Sequence, residues 1–288
     1  MRRQIDEIPA PPGPGGPQAF SILELLVAMA VVALLALVVI SIADNTARLT
    51  GSSQRRMSAD SAARGALDRL AADFSALLLR KDLPDLVEKR VGNDRLLLAA
   101  QVAGYGGDRG ISRVNYLVSD YPAAGVNDAA FDPLVLLRGA EGTGWDTNSL
   151  AFGGTNTATG FDAEALEVAA PDVFRFEVVF LMADGSILSS PPGAGVAPGT
   201  RRLLAENDES PSQQVRAIII GVAALDSKLR ALLPPDGMET LAARFPDAVS
   251  GGTDLLSQWS AVLEGSELPP PVLQGVRVSQ RYFNLQRP

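Results

Sequence analysis

The sequence predicts an α+β fold, in which one long N-terminal helix packs on an antiparallel β-sheet. Three observations support this prediction. Residues 25–43 form an apolar run without an ionisable side chain, and residues 44–80 continue it with apolar residues at three- and four-residue steps. From residue 95 onward, short β-like segments alternate with turn signals. About 200 residues follow the long helix, enough for one domain with its own core.

The apolar run has the length and composition of a membrane-spanning helix. Within residues 20–43 only Glu24 is ionisable, and residues 25–43 contain neither Gly nor Pro. As a helix, residues 25–43 extend about 28 Å at ~1.5 Å per residue, close to the hydrocarbon thickness of a bilayer. A carboxylate at the end of such a helix costs roughly 2 kcal/mol or more if it enters lipid unpaired. A signal peptide or a plain membrane anchor would not need this residue.

The residues around Glu24 follow a known order. The segment AFSILELLVAMAVVALL, residues 19–35, resembles the N-terminus of type IV prepilins and type II secretion pseudopilins. In that family a leader is cut off just before the Phe, the new terminal amine is methylated, and a Glu at the fifth mature position pairs with the amine of a neighbouring subunit. The resemblance implies a leader over residues 1–19, cleavage between Ala19 and Phe20, and an assembly role for Glu24 with the Phe20 amine. The family usually has Gly before the cut, where this chain has Ala19.

Later segments resemble narrower groups of the same family. SAARGALDRLAADFSALL, residues 61–78, resembles the second half of the N-terminal helix of J-type minor pseudopilins. VFRFEVVFLMADG (173–185) and VRAIIIGVAALD (215–226) resemble the Verru_Chthon cassette protein C group, encoded in small gene clusters of Verrucomicrobia. These resemblances imply a pilin-like fold with a single pass through the bacterial inner membrane over residues 20–43 and a periplasmic head over residues 81–288. The implied function is that of a minor pseudopilin in a type II secretion or type IV pilus-like assembly.

The same resemblance implies the partners of the chain. They are other pilin or pseudopilin subunits, the inner membrane, and the prepilin peptidase that cleaves the leader and methylates the new N-terminus. Other interpretations stay open: residues 1–19, rich in Pro and Gly, also suit a retained flexible tail, and a secretory signal peptide is a further alternative. As a whole, the chain is also compatible with an adhesion or tip module, or with an envelope hydrolase that uses carboxylate pairs.

Composition excludes several classes of function. The net charge of −8 and the lack of a sustained basic stripe argue against nucleic-acid binding. The chain has no Cys, which excludes disulfides, thiolate catalysis and Cys-ligated metals. It also has no His, which excludes Ser-His-Asp and Cys-His mechanisms. Catalysis would have to use Asp/Glu pairs alone, and no spacing in the sequence singles out such a pair. We therefore expect a protein that is not an enzyme.

The amphipathic half of the long helix, residues 44–80, has one apolar stripe. The stripe consists of Ala63, Leu67, Leu70, Phe74 and Leu77, while the charged residues Arg64, Asp68, Arg69, Asp73 and Arg80 lie largely off it. We expect these charged residues to form a solvated helix face. Residues 51–53, Gly-Ser-Ser, are a weak point at which the helix can bend or break, and Pro84 marks its stop.

The remaining segments alternate in the manner of β-strands. Strands are predicted over 96–102, 113–119, 133–138, 172–182, 215–225 and 276–283, and short helices over 226–233 and 253–263, the second with Thr253 as its N-cap. On strand 172–182 the side chains of Phe174, Phe176, Val178 and Phe180 share one face, and Asp184-Gly185 makes a hairpin turn. Strand 215–225 is expected to be central and buried on both faces. The glycines around Tyr105 predict a hairpin loop, because their spacing does not match a phosphate-binding loop.

Two long loops are predicted, over residues 139–170 and 190–213. The first contains Asp146, Asp162, Glu164 and Glu167, whose carboxylates are ligands of the kind that Ca²⁺ prefers. These residues do not follow EF-hand spacing. We therefore expect a solvated loop without a metal or other cofactor, and a calcium site is the alternative.

Overall fold

The computed structural model describes residues 21–78, 86–107, 110–120, 134–144, 166–190, 200–202, 215–230, 233–234, 237–252, 254–265 and 270–285. The chain divides into two compact units, Met1–Gly51 and Ser52–Pro288. The described elements form an α+β arrangement of one long N-terminal helix, short helices and antiparallel sheets. This coarse arrangement is the one that the sequence predicts.

The long helix, α1, spans Ile22–Ser75. It continues through residues 51–53, so the predicted weak point does not interrupt it. It ends before the predicted limit at residue 80, because the chain pairs with a strand instead: Leu77 forms an isolated antiparallel bridge with Ala100, and the Leu78 N–H donates to the Ala99 carbonyl at 2.9 Å. The predicted positions Arg80 and Pro84 lie outside the described residues.

The described strands form two antiparallel sheets instead of the single predicted one. Their bounds are β1 Leu86–Glu88, β2 Arg95–Ala100, β3 Ser112–Asp120, β4 Leu134–Gly142, β5 Leu166–Ala170, β6 Val173–Met182, β7 Ile187–Leu188, β8 Thr200–Arg202, β9 Val215–Leu225 and β10 Val276–Asn284. The first sheet has the order β5-β4-β3-β2-β1-β8, and the second has the order β10-β9-β6-β7. A tight turn at Pro171-Asp172 takes the chain from one sheet to the other, and Asp172 adopts a left-handed φ of 59° there.

Four short helices complete the described elements: α2 Ser227–Arg230, α3 Gly237–Ala243, α4 Leu255–Gly265 and α5 Pro270–Gly275. The sequence predicts α2 and α4 but misses α3 and α5. Helix α4 starts two residues later than predicted, and Asp254 caps it, since its side chain accepts the Ser257 N–H at 3.2 Å. The predicted cap, Thr253, lies outside the described residues.

Several predicted strands are confirmed. Strand β9 lies between β6 and β10, and all of its residues except Arg216 are buried. Strands β2 and β3 form a hairpin around the glycine-containing loop, and β6 and β7 form another around Gly185, which has a φ of 87°. The predicted loops are wrong in part, because residues 139–142 belong to β4, while β5 and β8 lie within the segments predicted as loops.

The described residues of the second unit form two hydrophobic cores. The first is formed by one face of α1 against both sheets, and it includes the predicted stripe residues Ala63, Leu67 and Leu70. The second lies on the other face of the β9–β6 sheet, against the four short helices. Phe174 belongs to this second core and not to the face of Phe176, because a bulge near the start of β6 shifts its register. The prediction that Phe174 shares a face with Phe176 is therefore wrong.

Candidate functional site

Glu24 is the predicted assembly residue, and the structure places it in the first turn of α1. Its backbone N–H donates to Oγ of Ser21 at 3.1 Å, so Ser21 is the N-cap and Glu24 is the third helical residue. The sequence Ser-x-x-Glu at this position has the spacing of a capping box, and a carboxylate is favoured there by the partial positive charge of a helix N-terminus. Glu24 is exposed. The predicted processing residues Ala19 and Phe20 lie outside the described part of the chain.

The first half of α1 is both apolar and exposed. Over its most apolar window of 18 residues the mean hydropathy is 3.2, and none of that window is buried. Ile22, Leu37 and Ile40 are 82%, 71% and 68% exposed. By length and composition this is the one candidate membrane-spanning helix among the described residues, and a signal sequence has the same properties.

Asp73 in the second half of α1 is buried, although the sequence predicts a solvated position. Its Oδ2 accepts a hydrogen bond from Arg138 Nε at 2.7 Å, and its Oδ1 accepts one from Arg138 Nη2 at 2.9 Å. The Tyr116 hydroxyl also donates to Asp73, and burial, followed by the charge of Asp73, raises the Tyr116 pKa. Asp73 thus binds α1 to strands β3 and β4 by charge-assisted hydrogen bonds.

Glu167, a candidate calcium ligand, belongs to the same ionic network. Its Oε1 accepts hydrogen bonds from Arg69 Nη2 at 2.6 Å and from Arg138 Nη1 at 2.9 Å. Oε1 of Glu167 is thus engaged by two guanidinium groups. The other candidates, Asp146, Asp162 and Glu164, lie outside the described residues, and within the described ones no group of three or more Asp or Glu residues could hold a metal ion.

A second group of buried charges joins the first sheet to the second and was not predicted from the sequence. We call it the junction cluster, and it consists of Lys89, Asp94, Arg175, Glu177 and Asp247. Lys89 Nζ donates to Asp94 Oδ2 and, at 2.8 Å, to Glu177 Oε1. Arg175 Nη2 donates to Asp247 Oδ1 at 2.5 Å and lies 3.1 Å from Glu177 Oε2. The sequence shows two charged residues, Arg175 and Glu177, within the otherwise apolar strand β6. No local pattern in the sequence identifies their partners.

The carboxyl groups of the junction cluster have altered acidity. Burial, followed by the nearby charge of Asp94, raises the pKa of Glu177 to about 7, against the opposing charges of Lys89 and Arg175. Burial also raises the pKa of Asp94, again opposed by Lys89. Such shifts occur at functional sites and in structural ion-pair networks alike.

The described residues of the second unit line several cavities, of which two are large enough to consider. One of about 580 Å³ lies between α1 and the turn after β5, and its lining includes Met57, Ser61, Gly65 and Asp172. Another of about 450 Å³ is lined by Val91, Phe245 and Asp247, among other residues. Asp94 and Glu177 line neither of them.

Comparison of the chain with protein-family models, with curated proteins and with solved structures found no match. The features available for inferring a function are therefore the exposed apolar half-helix, its carboxylate at Glu24, and the buried contacts of the second half of α1.

Proposed function

We propose that this chain is a minor pseudopilin-like structural subunit of a type II secretion or type IV pilus-like assembly. In this proposal the first half of α1 lies in the bacterial inner membrane, and the domain that follows lies in the periplasm. The observation that carries the proposal is the difference in exposure between the apolar residues of the two halves of α1. Residues such as Leu37 are exposed and apolar, whereas Ala63, Ala66 and Leu70 of the same helix are fully buried.

A helix of this kind needs an apolar environment for its first half. Exposed Leu, Val and Ile side chains each gain about 1.5–3 kcal/mol when they leave water, so lipid or other apolar helices are the favoured surroundings. Transfer from lipid to a bundle of neighbouring helices is nearly neutral in apolar burial, because lipid tails are as apolar as Leu. The same segment can therefore lie in a membrane before assembly and among other subunits afterwards.

A polar contact then has to set the register between subunits. Glu24 is the ionisable residue at the start of the apolar half-helix, and its exposed carboxylate is available to a neighbour. In our proposal the carboxylate of Glu24 pairs with the methylated amine of Phe20 on the next subunit, after the prepilin peptidase has removed residues 1–19. A desolvated charge pair of this kind is sensitive to geometry and therefore suits the selection of one register.

The mature N-terminus provides the direct test. The chain is expressed in a bacterium with a prepilin peptidase, and the membrane fraction is analysed by intact-mass and peptide mass spectrometry. We expect a membrane-bound protein that begins with N-methylated Phe20, and an Ala19→Gly variant that is processed at least as completely. The matched control is a strain without the peptidase, in which the wild-type chain should keep residues 1–19. An unmodified N-terminus at Met1 in the peptidase-positive strain, or cleavage after the apolar half-helix, contradicts the proposal.

A further inference from the structure

Strand β10 is the longest edge strand of the two described sheets. The other edge strands, β5, β7 and β8, have five, two and three residues, whereas β10 has nine. It pairs with β9 over all nine residues without a bulge, and residues 276–284 contain neither Pro nor Lys. Short length, bulges, Pro and Lys are common means by which proteins prevent an edge strand from pairing with another chain. Strand β10 uses none of these four.

Two hydrogen bonds at the ends of the β9–β10 pair show which backbone groups of β10 face outward. The Leu285 N–H donates to the Arg216 carbonyl at 3.0 Å, and the Asp226 N–H donates to the Gly275 carbonyl at 3.2 Å. Because backbone groups alternate in direction along an antiparallel strand, the odd-numbered residues of β10 bond to β9 and the even-numbered ones face away from it. No described strand pairs with the outward groups, which belong to Val276, Val278, Gln280, Tyr282 and Asn284.

Helices α1 and α4 pack against the two faces of β10. On one face the Phe283 ring stacks on Phe74 of α1, with ring centroids 4.4 Å apart. On the other face the Gln280 side chain accepts a hydrogen bond from the Leu256 N–H of α4 at 3.1 Å. Both contacts are made by side chains of β10, so neither uses its outward backbone groups. Tyr282, near the end of the strand, is 48% exposed.

The first part of this edge has an excess of positive charge on the side of α1. Arg277 Nη1 donates to the Val276 carbonyl at 2.8 Å, and Arg277 forms no ion pair with a described carboxylate. Burial, followed by the charge of Arg56 on α1, lowers the pKa of Arg277, and the charge of Asp60 opposes that shift. Asp60 is itself paired with Arg64 at 2.8 Å. Three guanidinium groups thus lie around one carboxylate here.

Arg281 lies on the same side of β10, four residues further along. Its Nη1 donates to Asp68 Oδ1 at 2.6 Å and to the Leu67 carbonyl at 3.5 Å, so the side chain lies along α1 and does not cover the edge. The side chains of Arg281 and Asp68 are 44% and 74% exposed, which leaves the guanidinium accessible to a further carboxylate. Opposite charges on neighbouring strands stabilise their pairing. Arg277 and Arg281 therefore match an added strand with carboxylates four residues apart.

We propose that the edge of β10 binds an extended, acidic segment of a partner protein, which adds a fifth strand to the second sheet. The outward backbone groups of β10 supply the hydrogen bonds, and Arg277 and Arg281 select carboxylate side chains on the partner. This site lies within the second unit and does not involve the apolar half of α1. The proposal therefore goes beyond the proposed function, and either can fail without the other.

Synthetic peptides of nine residues test the proposal with the full chain in detergent. The acidic peptide alternates Val and Thr and carries Glu at its fourth and eighth positions, opposite Arg281 and Arg277 in an antiparallel pair. The matched control peptide carries Lys at both positions. We expect the acidic peptide to bind about tenfold more tightly, because two attractive charge contacts replace two repulsive ones. Isothermal titration calorimetry measures both affinities.

A third peptide separates strand addition from charge attraction alone. It keeps both Glu residues but is N-methylated at its third, fifth and seventh amides, which would donate to the outward carbonyls of β10. We expect it to lose binding. Residue-resolved hydrogen–deuterium exchange locates the site: the acidic peptide should slow exchange about tenfold at Val278, Gln280 and Tyr282, and much less at Ser279 and Arg281, which bond to β9.

Two variants of the protein complete the test. Arg277→Gln should lower the preference for the Glu peptide over the Lys peptide about threefold, whereas Arg244→Gln, at an exposed position after α3, should leave it unchanged. Tyr282→Pro removes an outward N–H but no bond to β9, so it should weaken binding of the acidic peptide. The comparison of the three peptides uses the unchanged protein and stands even if Tyr282→Pro folds poorly.

Several results would overturn the proposal. They are no binding of the acidic peptide, equal binding of the Glu and Lys peptides, equal binding of the N-methylated and unmethylated peptides, and binding that leaves exchange at Val278, Gln280 and Tyr282 unchanged.

Discussion

Asp73 on α1 and Arg138 on β4 form a bidentate ion pair, with Nε–Oδ2 and Nη2–Oδ1 distances of 2.7 and 2.9 Å. Both side chains are almost completely buried, at 4% and 6% exposure. The pair is joined by the Tyr116 hydroxyl on one side and by Glu167 on the other. It is therefore the main polar link between α1 and the first sheet among the described residues.

The first prediction concerns this pair. Asp73→Asn removes the carboxylate that pairs with Arg138 in a bidentate manner, and the buried guanidinium keeps only Glu167 as a charged partner. We therefore expect the free energy of unfolding to fall by about 3 kcal/mol. The matched control is Asp68→Asn on the same helix, whose partner Arg281 and own carboxylate are both well exposed. That change should cost less than about 1 kcal/mol. Urea unfolding of the detergent-solubilised chain measures both, and equal losses for the two variants contradict a special role for Asp73.

The position of Asp73 shows where sequence reasoning fell short. The charged residues of the amphipathic half of the helix are expected on a solvated face. However, Ala59, Ala63, Ala66, Leu70 and Asp73 follow one another at steps of four and three residues, and all are buried. This spacing was a usable signal that Asp73 points inward. Its partner, however, lies 65 residues away in the sequence, and no local pattern connects the two.

The other elements also divide into those that could be predicted from the sequence and those that could not. Strands β6 and β9 could be predicted because their apolar content is a local property, and so could the Gly185 turn, whose left-handed φ favours glycine. The bulge that turns Phe174 into the second core and the division into two sheets depend on contacts between distant segments. The junction cluster could not be predicted for the same reason, since Glu177 and Lys89 are 88 residues apart.

The second prediction concerns the close contact between the β2–β3 loop and the end of β4. A Cβ atom on Gly107 would lie 2.4 Å from backbone atoms of Gly142, and backbone atoms cannot rotate away. We expect Gly107→Ala to lower the free energy of unfolding by about 1–3 kcal/mol. Gly110→Ala in the same loop is the control, because its added Cβ has no close contact with the described residues beyond its chain neighbours. Thermal unfolding of both variants checks this, and a wild-type Tm for Gly107→Ala argues against the close contact.

The third prediction concerns the independence of the second unit. Both hydrophobic cores lie within Ser52–Pro288, and the exposed apolar segment lies within the first unit. A chain that starts at residue 52 should therefore remain monomeric in solution without detergent and unfold cooperatively. Size-exclusion chromatography and circular dichroism measure this. Aggregation of the shortened chain, combined with a full-length chain that is soluble without detergent, would mean that the apolar segment belongs to the fold of the domain and not to a membrane.

The last prediction separates two roles of Glu24. Gln can replace Glu in a capping box, so Glu24→Gln keeps the helix cap but removes the charge. Ser21→Ala does the opposite, because it keeps the carboxylate but removes the hydroxyl that accepts a hydrogen bond from the Glu24 N–H. Loss of this cap costs about 1 kcal/mol of helix stability. If the carboxylate pairs with the terminal amine of a neighbour, Glu24→Gln and Glu24→Ala should both lose co-purification with other pilin-type subunits, while Ser21→Ala retains it. Membrane insertion should be unchanged in all three variants, because the apolar segment is untouched. The opposite result would be that Glu24→Gln co-purifies with other subunits like the wild type, whereas Glu24→Ala and Ser21→Ala do not. That result would assign Glu24 to helix capping alone.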